Sequence, residues 1–318
     1  MKTISMSKPS RSGLLRLIGT LIALVLLVYL LSQQGWQAIW AAIQQIPLWA
    51  LALSFGLMIL SRIAVAGRWH VLLRSGGLPI SLRNSFRITF AGLFATNFLP
   101  TTIGGDVIRL AGAVQQKLDA ATATASLIVD RLVGMAGMVM VVPLGIPLFV
   151  RNNPALSLFY NPKIHYSAGF ASLISKSWWK NIWEKGARIF HRLIGALSLW
   201  LKQPRALLEA LLMTWVHMLS IFIIMTLLFN NLGDDVSIWQ VGGLYSIVYF
   251  ITLLPISING YGLQEISMTF VFSQLAGASL ANALTVALIY RTLMMLASLP
   301  GVAFLPGLLP GAQRQQEE

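Results

Sequence analysis

The chain contains no cysteine. Disulfides, thiolate nucleophiles and thiolate-bound metals are therefore excluded. Charge is scarce too: Asp, Glu, Lys and Arg make up 10% of the residues, where a soluble domain carries about 25%. Acids are the rarer sign, 10 against 23 Lys and Arg. The four histidines, His70, His165, His191 and His217, are scattered without ligand spacing, so no zinc site is expected. No G-x-x-x-x-G-K-[ST] motif is present to hold a nucleotide triphosphate, and no nucleophile–base pair stands out. Neither an enzyme nor a cofactor is expected.

What fills the chain is apolar sequence, 56% hydrophobic with a mean hydropathy of +0.73. That combination predicts an all-α, polytopic membrane protein, because only helices and closed barrels satisfy their own backbone in lipid. The net charge of +13 is then a statement about orientation, not about nucleic acid. Cytoplasmic loops retain Lys and Arg, and those residues attract anionic headgroups.

Lys2, Lys8, Arg11 and Arg16 place the N-terminus in the cytoplasm, with residues 1–13 as its tail. A first span at 14–32 has no small-residue cleavage site after it, so it is expected to stay uncleaved. The uncharged stretch 33–46 suits the outside. A second span opens at Pro47 and runs to about Ala66, and Arg68, Arg74, Arg83 and Arg87 follow it on the inside. A third, 85–99, leads into a break at Pro100–Gly105, and the apolar stretch 120–150 carries Asp130 and Arg131. Residues 151–203 form a basic loop assigned to the cytoplasm. Within it Trp179, Ile182, Trp183, Ile189, Phe190, Leu193 and Leu197 recur at helical spacing, as an interfacial amphipathic helix or an ordinary helix packed on the membrane domain. Spans are expected again at 206–228, 238–254 and 279–305, with Asp234 and Asp235 outside. The charges fit seven crossings, or up to eight helices, with the N-terminus in and the C-terminus out. Re-entrant segments at 100–117 and 255–277 would alter the count.

Those two segments are the most informative part of the chain. Residues 97–109 read NFLPTTIGGDVIR and residues 253–265 read LLPISINGYGLQE. Each is a Leu-Pro break, a short polar stretch, paired glycines and an acid. Helix-breaking polar sequence at membrane depth is tolerated where it is buried in protein or lines a cavity. Two such breaks in corresponding places point to a binding site between repeats. The halves align further: Pro47 with Pro204, Asp106 with Glu265, and the stretch ending in Arg131 with the one ending in Arg291. This predicts a duplication of 47–150 in 204–309. The charges put Pro47 outside and Pro204 inside, which makes the repeats inverted.

Arg131 and Arg291 lie inside apolar stretches, where a central arginine costs about 2.5–3.5 kcal/mol on insertion scales. A cost of that size calls for a partner. Asp106, Asp130 and Glu265 are the available acids, and one reading is structural, with Asp106 or Glu265 locking an arginine across the repeat axis. The other has the arginines face a cavity and grip a phosphate, which a guanidinium binds in bidentate fashion. Arg109 follows Asp106 by one helical turn. Gly104, Gly105, Gly260 and Gly262 allow close backbone approach or positive φ, and helices restarting after each break would present free N–H groups to an anion. Arg62 is expected to snorkel from the end of its span to the inner interface, and His217 to be a hydrogen-bonded core residue.

The segments RWHVLLRSGG, NFLPTTIGGDVIR, ASLIVDRLVG, LLPISINGYGLQE and LIYRTL resemble the membrane region of lysylphosphatidylglycerol synthases, over roughly 14–305. The resemblance implies a flippase-like protein of the bacterial inner membrane that moves an anionic or aminoacylated phospholipid between leaflets. It carries Asp106, Arg109, Arg131, Glu265 and Arg291 over as site positions. In full-length relatives a separate soluble domain makes the lipid; no such domain is read in these 318 residues, so synthesis is not expected of them. The expected partners are membrane lipids. A non-transporting partner of an envelope or lipid enzyme, and a carrier of small anionic solutes, are the alternatives.

Overall fold

The computed structural model describes residues 21, 22, 25, 27–29, 32, 36–98, 104–145, 199–254, 257 and 259–305. The expected first span and the amphipathic helix of 151–203 therefore fall wholly or largely outside the described residues. The described chain is helical and holds no strand. After α1 (Trp36–Gln45), two series of elements follow in the same order. The first is α2 (Leu48–Ser75), α3 (Leu82–Phe98), α4 (Gly104–Gln115) and α5 (Ala120–Val141), closed by a 3₁₀ turn, Val142–Leu144. The second is α6 (Pro204–Asn231), α7 (Ile238–Thr252), α8 (Leu263–Val271) and α9 (Leu280–Ser298), closed by a 3₁₀ turn, Leu299–Ala303.

The two series are matched in local chemistry. α2 and α6 are both 28 residues long and both open at a proline, Pro47 just before the helix and Pro204 at its first position. Proline suits that place because its missing N–H would be unpaired anyway. α5 and α9 are both capped by a short polar side chain: Asp119 accepts from the Thr122 N–H at 2.7 Å, and Ser279 from the Asn282 N–H at 3.1 Å. Both end where a proline, Pro143 or Pro300, stops the α-helix and tightens it into the 3₁₀ turn.

Among the described residues four helices are long and apolar enough to cross a bilayer: Leu48–Ser75, Ala120–Leu144, Pro204–Asn231 and Leu280–Ala303. α2 and α6 run antiparallel against each other. Ser75 accepts a hydrogen bond from Gln203, Arg68 reaches Thr214, and Ser61 reaches His217. The bundle so has two unlike ends. At one lie Arg74, Lys202 and Arg205; at the other lie Asp234 and Asp235, just beyond α6.

α3 and α4 run side by side as a hairpin whose two feet meet at the basic end, where Asn84 donates to Gln116 at 2.7 Å. α7 and α8 form the matching hairpin from the acidic end, where Asp234 accepts from the Ser279 N–H at 3.3 Å and the Asn282 amide at 3.0 Å. Each hairpin then leans on the 3₁₀ turn of the other series. Gly145 lies against the backbone of Gly243 in α7, and Gly301 against the carbonyl of Phe90 in α3, so close that neither leaves room for a Cβ.

α2 and α9 both run toward the basic end: α2 finishes beside Gln203, and α9 starts beside Asp234 at the other end.

Candidate functional site

The hairpins bring their acids to the arginines of the next long helix. In the first series Arg131 donates to Asp106 through Nε at 2.7 Å and again through Nη2. In the second, Arg291 donates through Nε to Glu265, and through Nη2 to the Gly260 carbonyl at 3.2 Å. The equivalence stops at exposure. The Arg131 side chain is 62% exposed and Asp106 23%, whereas Arg291 and Glu265 are 10% and 4%. Glu265 keeps one carboxylate oxygen without a hydrogen-bond partner.

The glycines divide by role. Gly260 and Gly262 take φ of +71° and +73°, with Asn259 at +52° between helices, so the second break is an unwound backbone that only glycine fits comfortably. Gly105 is helical instead. A Cβ there would strike Thr96 and the Gly92 carbonyl, so Gly92 and Gly105 let α3 and α4 touch. Gly104 opens α4.

That contact carries Arg109 across to Asp130, which it grips through Nη1 at 3.2 Å and Nη2 at 3.3 Å. Asp130 accepts also from Arg68 Nε at 2.7 Å, and Arg109 lies 4.3 Å from the Trp69 ring and 3.4 Å from Asp106. The chain of contacts Arg68–Asp130–Arg109–Asp106–Arg131 therefore joins α2, α4 and α5. Three guanidiniums share two carboxylates, leaving one positive charge in excess. Arg68 was expected in a loop; α2 instead continues nine residues past Ala66, and the neutralisation by Asp130 is what lets Arg68 sit buried in it.

Arg62 departs from expectation most. It lies mid-way along α2 and is only 6% exposed, not snorkelled to an edge. Its Nη2 reaches the Met58 sulfur at 3.3 Å and its Nε has no partner. No carboxylate approaches it among the described residues. Of the ten acids, Asp106, Asp130 and Glu265 are paired to other arginines, Asp119 and Asp234 hold helix ends, and Glu209 and Asp235 are exposed. Arg62 lines a cavity of about 190 Å³ with His217, Tyr245, Tyr249, Gln264 and Tyr290, drawn from both series. His217 is held through Nδ1 by the Ser61 hydroxyl at 2.7 Å, and the Tyr245 and Tyr290 hydroxyls bond each other at 2.7 Å. Sequence reasoning missed this cavity because Arg62 beside Arg68 looks like the edge of a span. The burial of Arg62, and the pairing of Asp106, Asp130 and Glu265 to other arginines, appear only in the folded arrangement. No group of His and acid side chains among the described residues is placed to hold a metal.

A larger apolar groove of about 800 Å³ runs along the outside between Ile59, Ile63, Phe86, Phe90 and Phe304, with Arg83 and Arg87 at its rim.

Long apolar helices, two broken hairpins and a paired set of intramembrane charges define a multi-pass membrane protein. The family described as Lysylphosphatidylglycerol synthase TM region matches residues 16–301, and the chain belongs to it. That family is a membrane domain associated with lipid handling. No curated protein matches the chain.

Proposed function

We propose that this protein is a lipid translocase, not an enzyme, which moves an anionic or aminoacylated phospholipid across the bacterial inner membrane between two inverted repeats. The observation that carries the reading is the unequal exposure of Arg131–Asp106 and Arg291–Glu265. In a transporter made of inverted repeats, equivalent positions take turns at being open. Here one pair is open and its counterpart shut. A mid-helix arginine with more than half its surface free needs water, an anionic headgroup or both beside it.

The inverted relation is supported by the antiparallel run of α2 and α6 and by the exchange of hairpins onto each other's 3₁₀ turns. On this reading α3–α4 and α7–α8 are re-entrant hairpins. The end bearing Arg74, Lys202 and Arg205 faces the cytoplasm by the positive-inside rule, and the N-terminus lies on that side with the end of α9. The excess positive charge of the Arg68–Arg131 cluster favours an anionic cargo.

The test is transbilayer movement of labelled phosphatidylglycerol and lysylphosphatidylglycerol in liposomes holding purified protein. The wild type is expected to speed movement of at least one of them. Arg131→Ala, Arg291→Ala and Glu265→Gln should lose it while keeping their helical circular dichroism. Wild-type protein that leaves both lipids at the rate of empty liposomes, with and without a membrane potential, would reject the proposal.

A further inference from the structure

We propose that Arg62 is the centre of a buried anion site, between the two series, for the phosphate of a phosphomonoester or phosphodiester. It is a separate site from the two acid–arginine pairs.

Four arginines are buried among the described residues: Arg62, Arg68, Arg109 and Arg291. Arg68 and Arg109 are neutralised by Asp130, and Arg291 by Glu265. Arg62 alone of these has no carboxylate partner, and its Nε has no hydrogen-bond partner either. A guanidinium cannot shed its charge by losing a proton in a protein. A buried, unpaired cation in that position wants an anion, and it lines a cavity where one fits.

The cavity's other polar groups are donors of the right kind. Tyr245 and Tyr290 have two hydroxyl protons and use one in their mutual bond, so one remains for a ligand oxygen. Gln264 adds an amide whose nearest partner is the Met268 sulfur at 3.9 Å, a weak contact. His217 is oriented by Ser61. Among the described residues no acid lines the cavity. A donor set without a carboxylate selects an anion, and a planar guanidinium matches two phosphate oxygens.

Size limits the ligand. About 190 Å³ falls below the roughly 300–1,000 Å³ of pockets that enclose a drug-sized molecule. It accommodates a phosphate with its immediate substituents and excludes acyl chains. A lipid would thus insert only its headgroup, and a free phosphate would fit whole. The translocation reading suggests the lipid source, but binding is measurable without transport, so each can fail alone.

The experiment is thermal unfolding of purified protein in a zwitterionic detergent, titrated with sodium phosphate in one arm and dihexanoyl phosphatidylglycerol in the other, with dihexanoyl phosphatidylcholine and sodium sulfate as comparators. The wild type should gain several degrees on saturation with a phosphate-bearing anion. Saturation by inorganic phosphate would identify a free-phosphate site; saturation by phosphatidylglycerol alone would identify a headgroup site. Arg62→Met should raise the midpoint in the absence of anion, because it removes an uncompensated charge, and should abolish the anion-induced gain. Tyr290→Phe should weaken binding several-fold. A wild type indifferent to both phosphate ligands would overturn the proposal. So would an Arg62→Met variant that is less stable than wild type or still responds to anion in full.

Discussion

Arg131 and Arg291 occupy equivalent places, each holding the acid of the preceding hairpin, yet one side chain is 62% exposed and the other 10%. The difference is a property of the conformation, since the two pairs share chemistry and connectivity. It predicts unequal chemical access in the wild-type protein. Phenylglyoxal, with modified positions mapped by mass spectrometry, should label Arg131 at least tenfold faster than Arg291. Equal rates would remove the basis for an open and a shut side.

Asp130 should matter more to stability than the better-known partners of the hairpins. It is 3% exposed and neutralises both Arg68 and Arg109. Removing one partner of a buried ion pair costs about 3–5 kcal/mol, because the other charge stays buried and unpaired. Asp130→Asn is therefore expected to lower the thermal midpoint sharply or to prevent purification. Arg131→Ala breaks a pair that is largely exposed, and such pairs are worth about 0–1 kcal/mol. Its midpoint should stay near wild type, which makes a loss of transport in that variant interpretable. Thermal unfolding of the two variants side by side decides the order.

The breaks, their acids and the spacing to Arg131 and Arg291 were legible in sequence because Pro, Gly and charge are rare in apolar chain and each has a local physical meaning. The start of α6 at Pro204 followed the same logic. Burial was not legible. Hydropathy ends a span at the first arginines, so α2 was expected to stop near Ala66, with Arg62 at the inner interface and Arg68 in the loop beyond it. What keeps them inside is tertiary: Asp130, 62 residues away, pairs with Arg68, and the second series walls the Arg62 cavity. The close approach of α3 and α4 depends equally on a tertiary contact, Gly92 against Gly105.

The exchange of hairpins between series predicts matched sensitivity at two remote glycines. Gly243→Ala would drive a methyl into the backbone of Gly145, and Gly301→Ala into the carbonyl of Phe90. Backbone cannot step aside as a side-chain tip can. Overpacking of this kind costs about 1–3 kcal/mol, so both variants should unfold several degrees below wild type. Gly56→Ala, with nothing near its added methyl, should unfold at or slightly above the wild-type temperature, since alanine favours a helix. A pair of widely different losses at Gly243 and Gly301 would argue against equivalent interfaces.

The absence of cysteine makes topology directly measurable. Gln45, ahead of α2, and Asp235, beyond α6, are exposed at one end of the bundle; Lys117, after α4, and Lys202, ahead of α6, are exposed at the other. Single cysteines at the four positions should react with a membrane-impermeant maleimide in two groups. Gln45→Cys and Asp235→Cys should label from outside intact cells, and Lys117→Cys and Lys202→Cys only after permeabilisation. The Lys117 result carries the most weight. If α3 and α4 together crossed the membrane, Lys117 and Lys202 would label from opposite sides; a hairpin that returns to its own side requires them to label together. Labelling of Gln45 and Lys202 from one side would be incompatible with a membrane-crossing α2 and with inverted repeats alike.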